Sequence, residues 1–327
     1  MKYTLLCILI HFVGTVNSQD TISIVAVDEN TGEVGSAAAS CADLDDFPGY
    51  PNDFVGQLFP GLGAVNTQAI YNTNNQFMTR RRMFAGDTPD EIIQWMMDHD
   101  ANFRPDLRQY GVASIINGEA QAAAFSGNAV EGIKGHLIGK NYAIQGNSMS
   151  SLTILNNMET NFNSFDGDLA EKLMAALQGA NTLGADKRCI SNATSSLFAF
   201  LKIAYPEDEF RDPSFVISVK TQPGDGIEPI DSLQVLFDQR YRRRILGLTH
   251  LDKSVKIFPN PFQSELNVIT SKHGKFNAVL YDTSGTLHRK WRFEHSHNID
   301  LSDLSKGIYI IHIYDQMYSY RYRVIKS

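Results

Sequence analysis

The stretch that most constrains the fold of this chain is residues 21–40, TISIVAVDENTGEVGSAAAS. Small and apolar residues alternate on both sides of an acidic, Gly-containing turn at residues 28–32. This composition favours two neighbouring strands that are buried on both faces. We therefore expect a β-hairpin at the start of a domain.

Thr21 opens this hairpin and is the candidate catalytic residue of the chain. A Thr hydroxyl can become a nucleophile when its own α-amine is free to act as the base, because that amine has a pKa of about 8 in model peptides. Thr is also common at strand starts for packing reasons alone. The residue type therefore leaves two interpretations open, a nucleophile or a β-branched strand starter.

Five further sequence blocks follow the hairpin. They are residues 63–69 (GAVNTQA), 108–112 (RQYGV), 124–127 (AFSG), 142–147 (YAIQGN) and 184–188 (GADKR). With the opening TISIVA, they make residues 21–238 resemble domain of unknown function 1028, an uncharacterised group of the N-terminal-nucleophile (Ntn) hydrolase superfamily. A resemblance in fold does not by itself establish an activity.

Local patterns in the same region predict alternating strands and helices. A capping box begins at Thr88 and a second at Asp168, and each opens a helix. Residues 112–125 predict a hairpin around a two-residue Asn-Gly turn. These elements fit an α+β fold, and the resemblance implies its form, a four-layer αββα Ntn-hydrolase-like sandwich.

The matching blocks place short polar side chains at predicted strand ends. The resemblance implies that Thr21 attacks a carbonyl while neighbouring groups bind the substrate or its oxyanion. The candidate substrate-binding residues are Thr67, Gln68, Asn147, Asp186 and Arg188. For Asp186 and Arg188, the alternative is a structural ion pair that holds a loop in place.

Residues 1–18 have the features of an export signal. Lys2 precedes an apolar run at residues 5–13, and compact residues occupy positions 16–18. The run is too short for a membrane span, so we expect a signal peptide and a mature chain that begins at Gln19.

A mature chain that begins at Gln19 retains two residues before Thr21. A Thr inside a peptide bond has no free amine, so a nucleophilic Thr21 requires a further cut. Either another enzyme trims the chain, or it cleaves itself at Asp20–Thr21, a dipeptide similar to the self-cleaving junction of glycosylasparaginases.

Two cysteines remain after the predicted signal peptide, Cys41 and Cys189. An isolated pair in an exported protein is a disulfide candidate. The bond would bring the end of the opening hairpin next to the GADKR block. Two unpaired, buried thiols are the alternative.

Composition excludes several classes of partner. The net charge is −7, and the acidic excess lies in residues 19–251, which argues against nucleic acid. The basic run at residues 240–244 follows a helical pattern and is typical of a solvated helix end. After the signal, no apolar run is long enough to cross a bilayer.

The chain lacks the residues that several other catalytic chemistries require. Between residues 19 and 249 the only histidines are His99, on the predicted helix, and His136, in a predicted Gly-rich loop, and they indicate neither a Ser-His-Asp triad nor a zinc site. No phosphate-binding Gly motif is present. The acidic segment at residues 43–46 matches no calcium loop and is typical of a solvated turn, so we expect no metal and no cofactor.

Residues 255–327 form a separate pattern of about seven short strands, typical of a small β-sandwich. The Pro-Asn-Pro at residues 259–261, the segment LSKGIY at residues 304–309 and the terminal VIK resemble the type A C-terminal sorting domain of type IX secretion cargo. The resemblance implies the type IX secretion machinery as a partner, passage through the periplasm, and a secreted or cell-surface protein.

The sequence therefore predicts four segments: a signal peptide at 1–18, an Ntn-hydrolase-like domain at 19–248, a linker at 249–254 and a sorting domain at 255–327. Two functions stay open. One is hydrolysis of a small amide or peptide bond by Thr21, and the other is non-catalytic binding of peptide or glycan on the same scaffold. A proteasome-like Lys is missing, because no Lys lies between Lys2 and Lys134. Oligomeric state is left open.

Overall fold

The computed structural model describes residues 20–46, 49–245, 255–270, 274–282, 284–314 and 319–327. The predicted signal peptide and the predicted linker lie outside the described residues. The chain divides into two compact units, Met1–Gln234 and Val235–Ser327, and the division falls within the last helix of the body.

The body of the chain is an α+β structure. In chain order its elements are β1 (Ile22–Val27), β2 (Val34–Ser40), β3 (Gly56–Phe59), β4 (Gly63–Ala69), α1 (Thr73–Ala85), α2 (Pro89–Asp98), β5 (Arg108–Ile116), β6 (Glu119–Ser126), β7 (Ile133–Ile138), β8 (Tyr142–Met149), α3 (Thr153–Ser164), α4 (Leu169–Gly179), β9 (Phe198–Ala204), β10 (Phe215–Lys220) and α5 (Pro229–Ile245). Single-turn 3-10 helices lie at Leu44–Asp46 and Pro105–Leu107, and a longer one spans Lys187–Asn192.

The strands form two antiparallel sheets. The larger has the order β10-β9-β2-β1-β8-β7, and the smaller has the order β3-β4-β5-β6. The inner faces of the sheets pack on each other, α1 and α2 cover the outer face of the smaller sheet, and α3 and α4 cover that of the larger. The layers therefore follow the order helix, sheet, sheet, helix.

The opening hairpin lies at the centre of the larger sheet, and every residue of β1 and β2 is buried. Side chains alternate along β1, so Ser23, Val25 and Val27 face the smaller sheet whereas the residues between them face the helices. The prediction of two strands buried on both faces is confirmed.

Other local predictions also agree with the structure. Thr88 and Asp168 each cap a helix through a complete capping box. The β5–β6 turn has positive φ at both Asn117 and Gly118, as its two-residue hairpin requires. One placement was wrong: His136 lies within β7 and not in a loop, because residues 133–138 pair with β8 and continue the sheet.

The second unit contains a series of short strands. Its strands are β11 (Val255–Phe258), β12 (Glu265–Thr270), β13 (Phe276–Asp282), β14 (Leu287–Phe293), β15 (Ser296–Asp300), β16 (Gly307–Tyr314) and β17 (Ser319–Lys326). They form a sheet of order β11-β12-β15 and a sheet of order β14-β13-β16-β17. One apolar core draws on both sheets, which is the expected small β-sandwich.

Candidate functional site

Thr21 immediately precedes β1 and is fully buried. Its backbone N–H donates to Asn147 Oδ1 (3.0 Å). Its carbonyl oxygen accepts from Gln68 Nε2 (2.7 Å) and from the backbone N–H of Asn147 (3.3 Å). Residues far apart in sequence therefore hold both ends of the Thr21 backbone.

The peptide bond between Asp20 and Thr21 has two donors at its carbonyl oxygen. Ser40 Oγ donates to the Asp20 carbonyl oxygen at 2.5 Å, and Arg188 Nη2 donates to it at 2.8 Å. Two donors, one of them a guanidinium, polarise this carbonyl and stabilise negative charge on its oxygen. The two donors are arranged like those of an oxyanion hole. They lie at the carbonyl of the Asp20–Thr21 bond, whose cleavage would free the Thr21 amine.

The Asp20 side chain is buried with the bond, only 2% exposed. One carboxylate oxygen accepts from Asn147 Nδ2, and the other accepts from Ser148 Oγ (2.6 Å). Arg188 Nε lies 3.6 Å from the second oxygen. A buried carboxylate needs such partners, since an uncompensated charge at this depth is strongly destabilising.

Arg188 is oriented by Asp186. Its Nε and Nη2 atoms donate to the two carboxylate oxygens of Asp186, at 3.0 and 2.6 Å. Burial opposes the charged form, but the hydrogen bond and charge of Asp186, with the charges of Asp20 and Glu131, raise the pKa of Arg188 above its ordinary value. The guanidinium therefore stays charged where it meets the Asp20 carbonyl.

The predicted Cys41–Cys189 disulfide is confirmed, with the two Cα atoms 5.7 Å apart. It joins the residue after β2 to the 3-10 helix at Lys187–Asn192. Beside it, the backbone N–H of Cys41 donates to Asp186 Oδ2 (3.0 Å). The disulfide thus fastens the segment that carries Arg188 to the strand that carries Ser40.

A buried polar network extends from Thr21 between the sheets. Ser23 Oγ donates to Gln68 Oε1 (2.6 Å) and accepts from Gln145 Nε2 (2.5 Å). Gln145 Oε1 has no hydrogen-bond partner among the described residues. A Cβ on Gly111 would lie 2.0 Å from that oxygen, so a side chain at position 111 would displace the Gln145 amide from the network.

The network continues to the edge of the larger sheet. Gln68 Nε2 donates to Gln109 Oε1 (2.8 Å), and Gln109 Nε2 donates to Ser126 Oγ (2.7 Å). Ser126 Oγ lies 3.0 Å from His136 Nδ1 on the exposed side of β7, and partial desolvation lowers the pKa of His136. The neutral imidazole is therefore favoured, and Nδ1 can accept the Ser126 proton.

The structure brings most of the predicted site residues together. Gln68, Asn147 and Arg188 contact Thr21 or Asp20, and Asp186 orients Arg188. Thr67 lies on the opposite face of β4, where its hydroxyl accepts from Gln76 Nε2 (3.2 Å). This follows from the two-residue period of a strand, which directs Thr67 and Gln68 to opposite faces.

Sequence reasoning did not identify Ser40 or Ser148. Both are serines at strand ends, Ser40 next to Cys41 and Ser148 next to Asn147, and nothing in their local sequence distinguishes them from other serines. Their contacts with Asp20 arise from pairing of β1 with both β2 and β8.

The described residues contain no group of three or more His, Cys, Asp and Glu side chains arranged to hold a metal ion. In the acidic segment at residues 43–46, Asp45 forms an ion pair with Lys220, and the hydrogen bond from Lys220 lowers the pKa of Asp45. Among the described helices, none is both long and apolar enough to span a bilayer.

Two family models match this chain. A model described as "Family of unknown function (DUF1028)" matches residues 21–216. The chain belongs to the DUF1028 family. The match begins at Thr21, and all the site residues named above except Asp20 fall within this DUF1028 region.

A second family model, described as a secretion system C-terminal sorting domain, matches residues 256–327. This domain interacts with the type IX secretion system, and it marks the protein as secreted or exposed at the cell surface.

Solved structures add a fold comparison. Protein SPO2555 from Silicibacter pomeroyi, a DUF1028 protein, is similar with a TM-score of 0.52 and 20% identity, covering 67% of this chain and 88% of that chain. The likeness shows the fold alone. The BSP domain of a biofilm-associated protein matches with a TM-score of 0.21 and 9% identity, over 96% of this chain and 52% of that chain. A TM-score this low does not indicate a shared fold. No curated protein matches the chain.

Proposed function

We propose that the chain is the precursor of a secreted hydrolase of the Ntn type, and that cleavage of the Asp20–Thr21 bond frees Thr21 to hydrolyse a small amide or peptide bond. One observation carries the proposal: the Asp20 carbonyl oxygen accepts hydrogen bonds from Ser40 Oγ and Arg188 Nη2 while its carbon is bonded to the Thr21 nitrogen. The order of helix and sheet layers supports it, since an Ntn-hydrolase-like sandwich has the same order.

The cleavage needs no outside reagent except water. Thr21 Oγ attacks the Asp20 carbonyl carbon, and Ser40 and Arg188 stabilise the resulting oxyanion. The C–N bond breaks as the hydroxyl proton passes to the Thr21 nitrogen, which leaves an ester on Thr21 Oγ. Water then hydrolyses the ester, releasing a segment that ends in the Asp20 carboxylate and leaving a free α-amine on Thr21.

Burial of Thr21 explains why cleavage must come before any activity on another molecule. In the uncut chain Thr21 is fully buried and Asp20 occupies the adjoining space. No external amide can reach the hydroxyl while that space is filled. Departure of Asp20 opens this space. The same cleavage creates the catalytic base, because the free amine of Thr21 can then accept a proton.

The space left by Asp20 also defines the acyl group that fits it. Ser40 and Arg188 would then stabilise the oxyanion of a substrate carbonyl. Asn147 Nδ2 and Ser148 Oγ, which bind the Asp20 carboxylate in the uncut chain, would bind an acidic side group of the substrate. An amide whose acyl part carries a carboxylate is therefore the preferred substrate, and free aspartate is expected to inhibit.

The test is N-terminal mass spectrometry of the protein from its native host. We expect a chain that begins at Thr21, an uncut chain for Thr21→Ala, and a cut chain for Thr21→Ser, which keeps a hydroxyl. Thr31→Ala is the matched control, since Thr31 lies in the exposed β1–β2 turn. Ser40→Ala removes one oxyanion donor and is expected to slow cleavage by about 100-fold.

The outcomes separate the alternatives. A Thr21→Ala chain that still begins at residue 21 indicates trimming by another enzyme and excludes self-cleavage. A native protein that retains Gln19 and Asp20 excludes the Ntn mechanism, and the second function then stands, a non-catalytic extracellular binding protein on the same scaffold.

A further inference from the structure

A second candidate site lies in a cavity of about 470 Å³ on the β3 side of the smaller sheet. Four parts of the DUF1028 region line it: the segment 50–60, helix α1 with the preceding Tyr71, the end of β9, and the β9–β10 connection around Phe210. None of the residues that contact Asp20 or Thr21 belongs to its lining. Its volume falls in the range typical of small-molecule sites.

One cation of this cavity is already neutralised. Lys202 Nζ donates to Asp53 Oδ2 (2.7 Å) and to the carbonyl oxygen of Gly56 (2.7 Å). Burial lowers the pKa of Lys202, and the Asp53 carboxylate opposes that change. Lys202 and Asp53 therefore form an ion pair that adds no net charge to the cavity lining.

Two further cations have no such partner. The Arg80 and Arg211 guanidinium carbons lie 5.2 and 5.6 Å from the centre of the Phe210 ring. Within the described part of the chain, neither guanidinium forms a salt bridge. Gln57 accepts a hydrogen bond from Arg80 Nη2 (2.7 Å) in the amide orientation that satisfies its neighbours. Burial and the charge of Arg211 lower the pKa of Arg80.

The backbone at Arg211 is strained. Its φ is +74°, a conformation that costs energy for a residue with a side chain. The strain and the repulsion between two neighbouring guanidinium groups both oppose this arrangement. A bound anion between Arg80 and Arg211 would offset the repulsion.

Aromatic side chains form another wall of the cavity. The rings of Phe54 and Tyr71 meet edge to face with centroids 4.9 Å apart, and Tyr50 lies 5.3 Å from Phe54. Tyr71 donates its hydroxyl proton to Gln76 Oε1 (2.9 Å), which fixes the ring. The cavity thus combines cations with an aromatic surface against which a ring or another apolar group can pack.

We propose that this cavity binds a small organic monoanion, a carboxylate that carries an aromatic or other apolar group. The carboxylate lies between Arg80 and Arg211, and the apolar group packs on the aromatic wall. A single negative charge is favoured because Glu209 also lines the cavity, so the two arginines and this carboxylate together carry one positive charge. The proposal does not depend on Thr21.

Isothermal titration of the full mature chain with N-acetyl-L-phenylalanine tests the proposal. We expect measurable binding of this acid and at least ~10-fold weaker binding of its neutral amide, because a charge-assisted hydrogen bond is lost. Arg80→Gln and Arg211→Gln are each expected to weaken binding of the acid by about tenfold. Arg81→Gln, at an exposed position of the same helix, is the matched control and retains binding.

Further variants keep the result interpretable. Arg80→Lys retains the charge and is expected to bind the acid more tightly than Arg80→Gln, which a general folding defect would not produce. Thr21→Ala is expected to bind like the wild type, so failure of the proposed cleavage leaves this site unaffected. No binding of the acid at about 10 mM (a free energy near −3 kcal/mol), equal binding of acid and amide, or tighter binding of phenyl phosphate overturns the proposal.

Discussion

Removal of the Cys41–Cys189 disulfide gives the most quantitative test of how the body is held together. The bond closes a loop with a sequence separation of 148 residues. In the chain-entropy model, a loop of this length restricts the unfolded chain enough to stabilise the folded state by about 5 kcal/mol. The Cys41→Ser, Cys189→Ser double variant is therefore expected to lose about that much free energy of unfolding.

Guanidinium denaturation followed by circular dichroism measures the difference. Reduction of the wild type by a thiol reagent is the control, since it should destabilise the wild type by a similar amount and leave the double variant unchanged. A double variant that loses less than about 1 kcal/mol would refute the loop-entropy argument. It would mean that the unfolded chain is already restricted in the same region, or that the folded bond is strained.

The same variant has a second consequence if the proposed cleavage is correct. The disulfide holds the 3-10 helix that carries Arg188 beside β2, which carries Ser40. Loss of the bond should loosen the two donors at the Asp20 carbonyl. Cleavage at Asp20–Thr21 should then slow under conditions in which the variant is still folded, as measured by mass spectrometry of the N-terminus over time.

Two further predictions concern pH and export. Partial desolvation lowers the pKa of His136 in the folded state, but the side chain is exposed on the edge strand, so its contribution to stability is small. That contribution is complete above the unfolded value of about 6.5 and is lost as pH falls through the lowered folded pKa. Denaturation midpoints at several pH values should show this loss, and His136→Gln should remove it. Deletion of residues 255–327 should leave the protein in the periplasm of its native host, as shown by cell fractionation, whereas continued secretion would contradict the sorting role assigned to the C-terminal domain.

Several features of this protein follow from short sequence patterns because their causes are local. The capping boxes at Thr88 and Asp168 satisfy helix N–H groups with side chains three residues away. The turn at Asn117 and Gly118 needs two residues that tolerate positive φ. The period of the short C-terminal strands likewise predicts a β-sandwich. Each of these signals lies within a few residues of the element that it specifies.

Helix α1 could not be predicted from a local sequence pattern. Its buried residues include Asn75, Gln76 and Thr79, so its sequence carries no apolar stripe. Asn75 Nδ2 donates to the Tyr110 hydroxyl (2.9 Å), and Gln76 Nε2 donates to the carbonyl oxygen of Phe54 (2.6 Å). Tertiary hydrogen bonds of these polar side chains act together with the apolar contacts of Met83, and the hydrogen bonds depend on residues far away in the chain.

Part of the candidate site could likewise be predicted from the sequence, and part could be seen only in the structure. Thr21 and the Asp20–Thr21 junction could be selected from the sequence, and family blocks pointed to Asn147 and Arg188. The two donors at the Asp20 carbonyl could not be paired from the sequence, because Ser40 and Arg188 lie 20 and 168 residues from Asp20. Pairing of the strands and the disulfide bring them together, since a hydrogen bond depends on distance in space and leaves no spacing pattern in the chain.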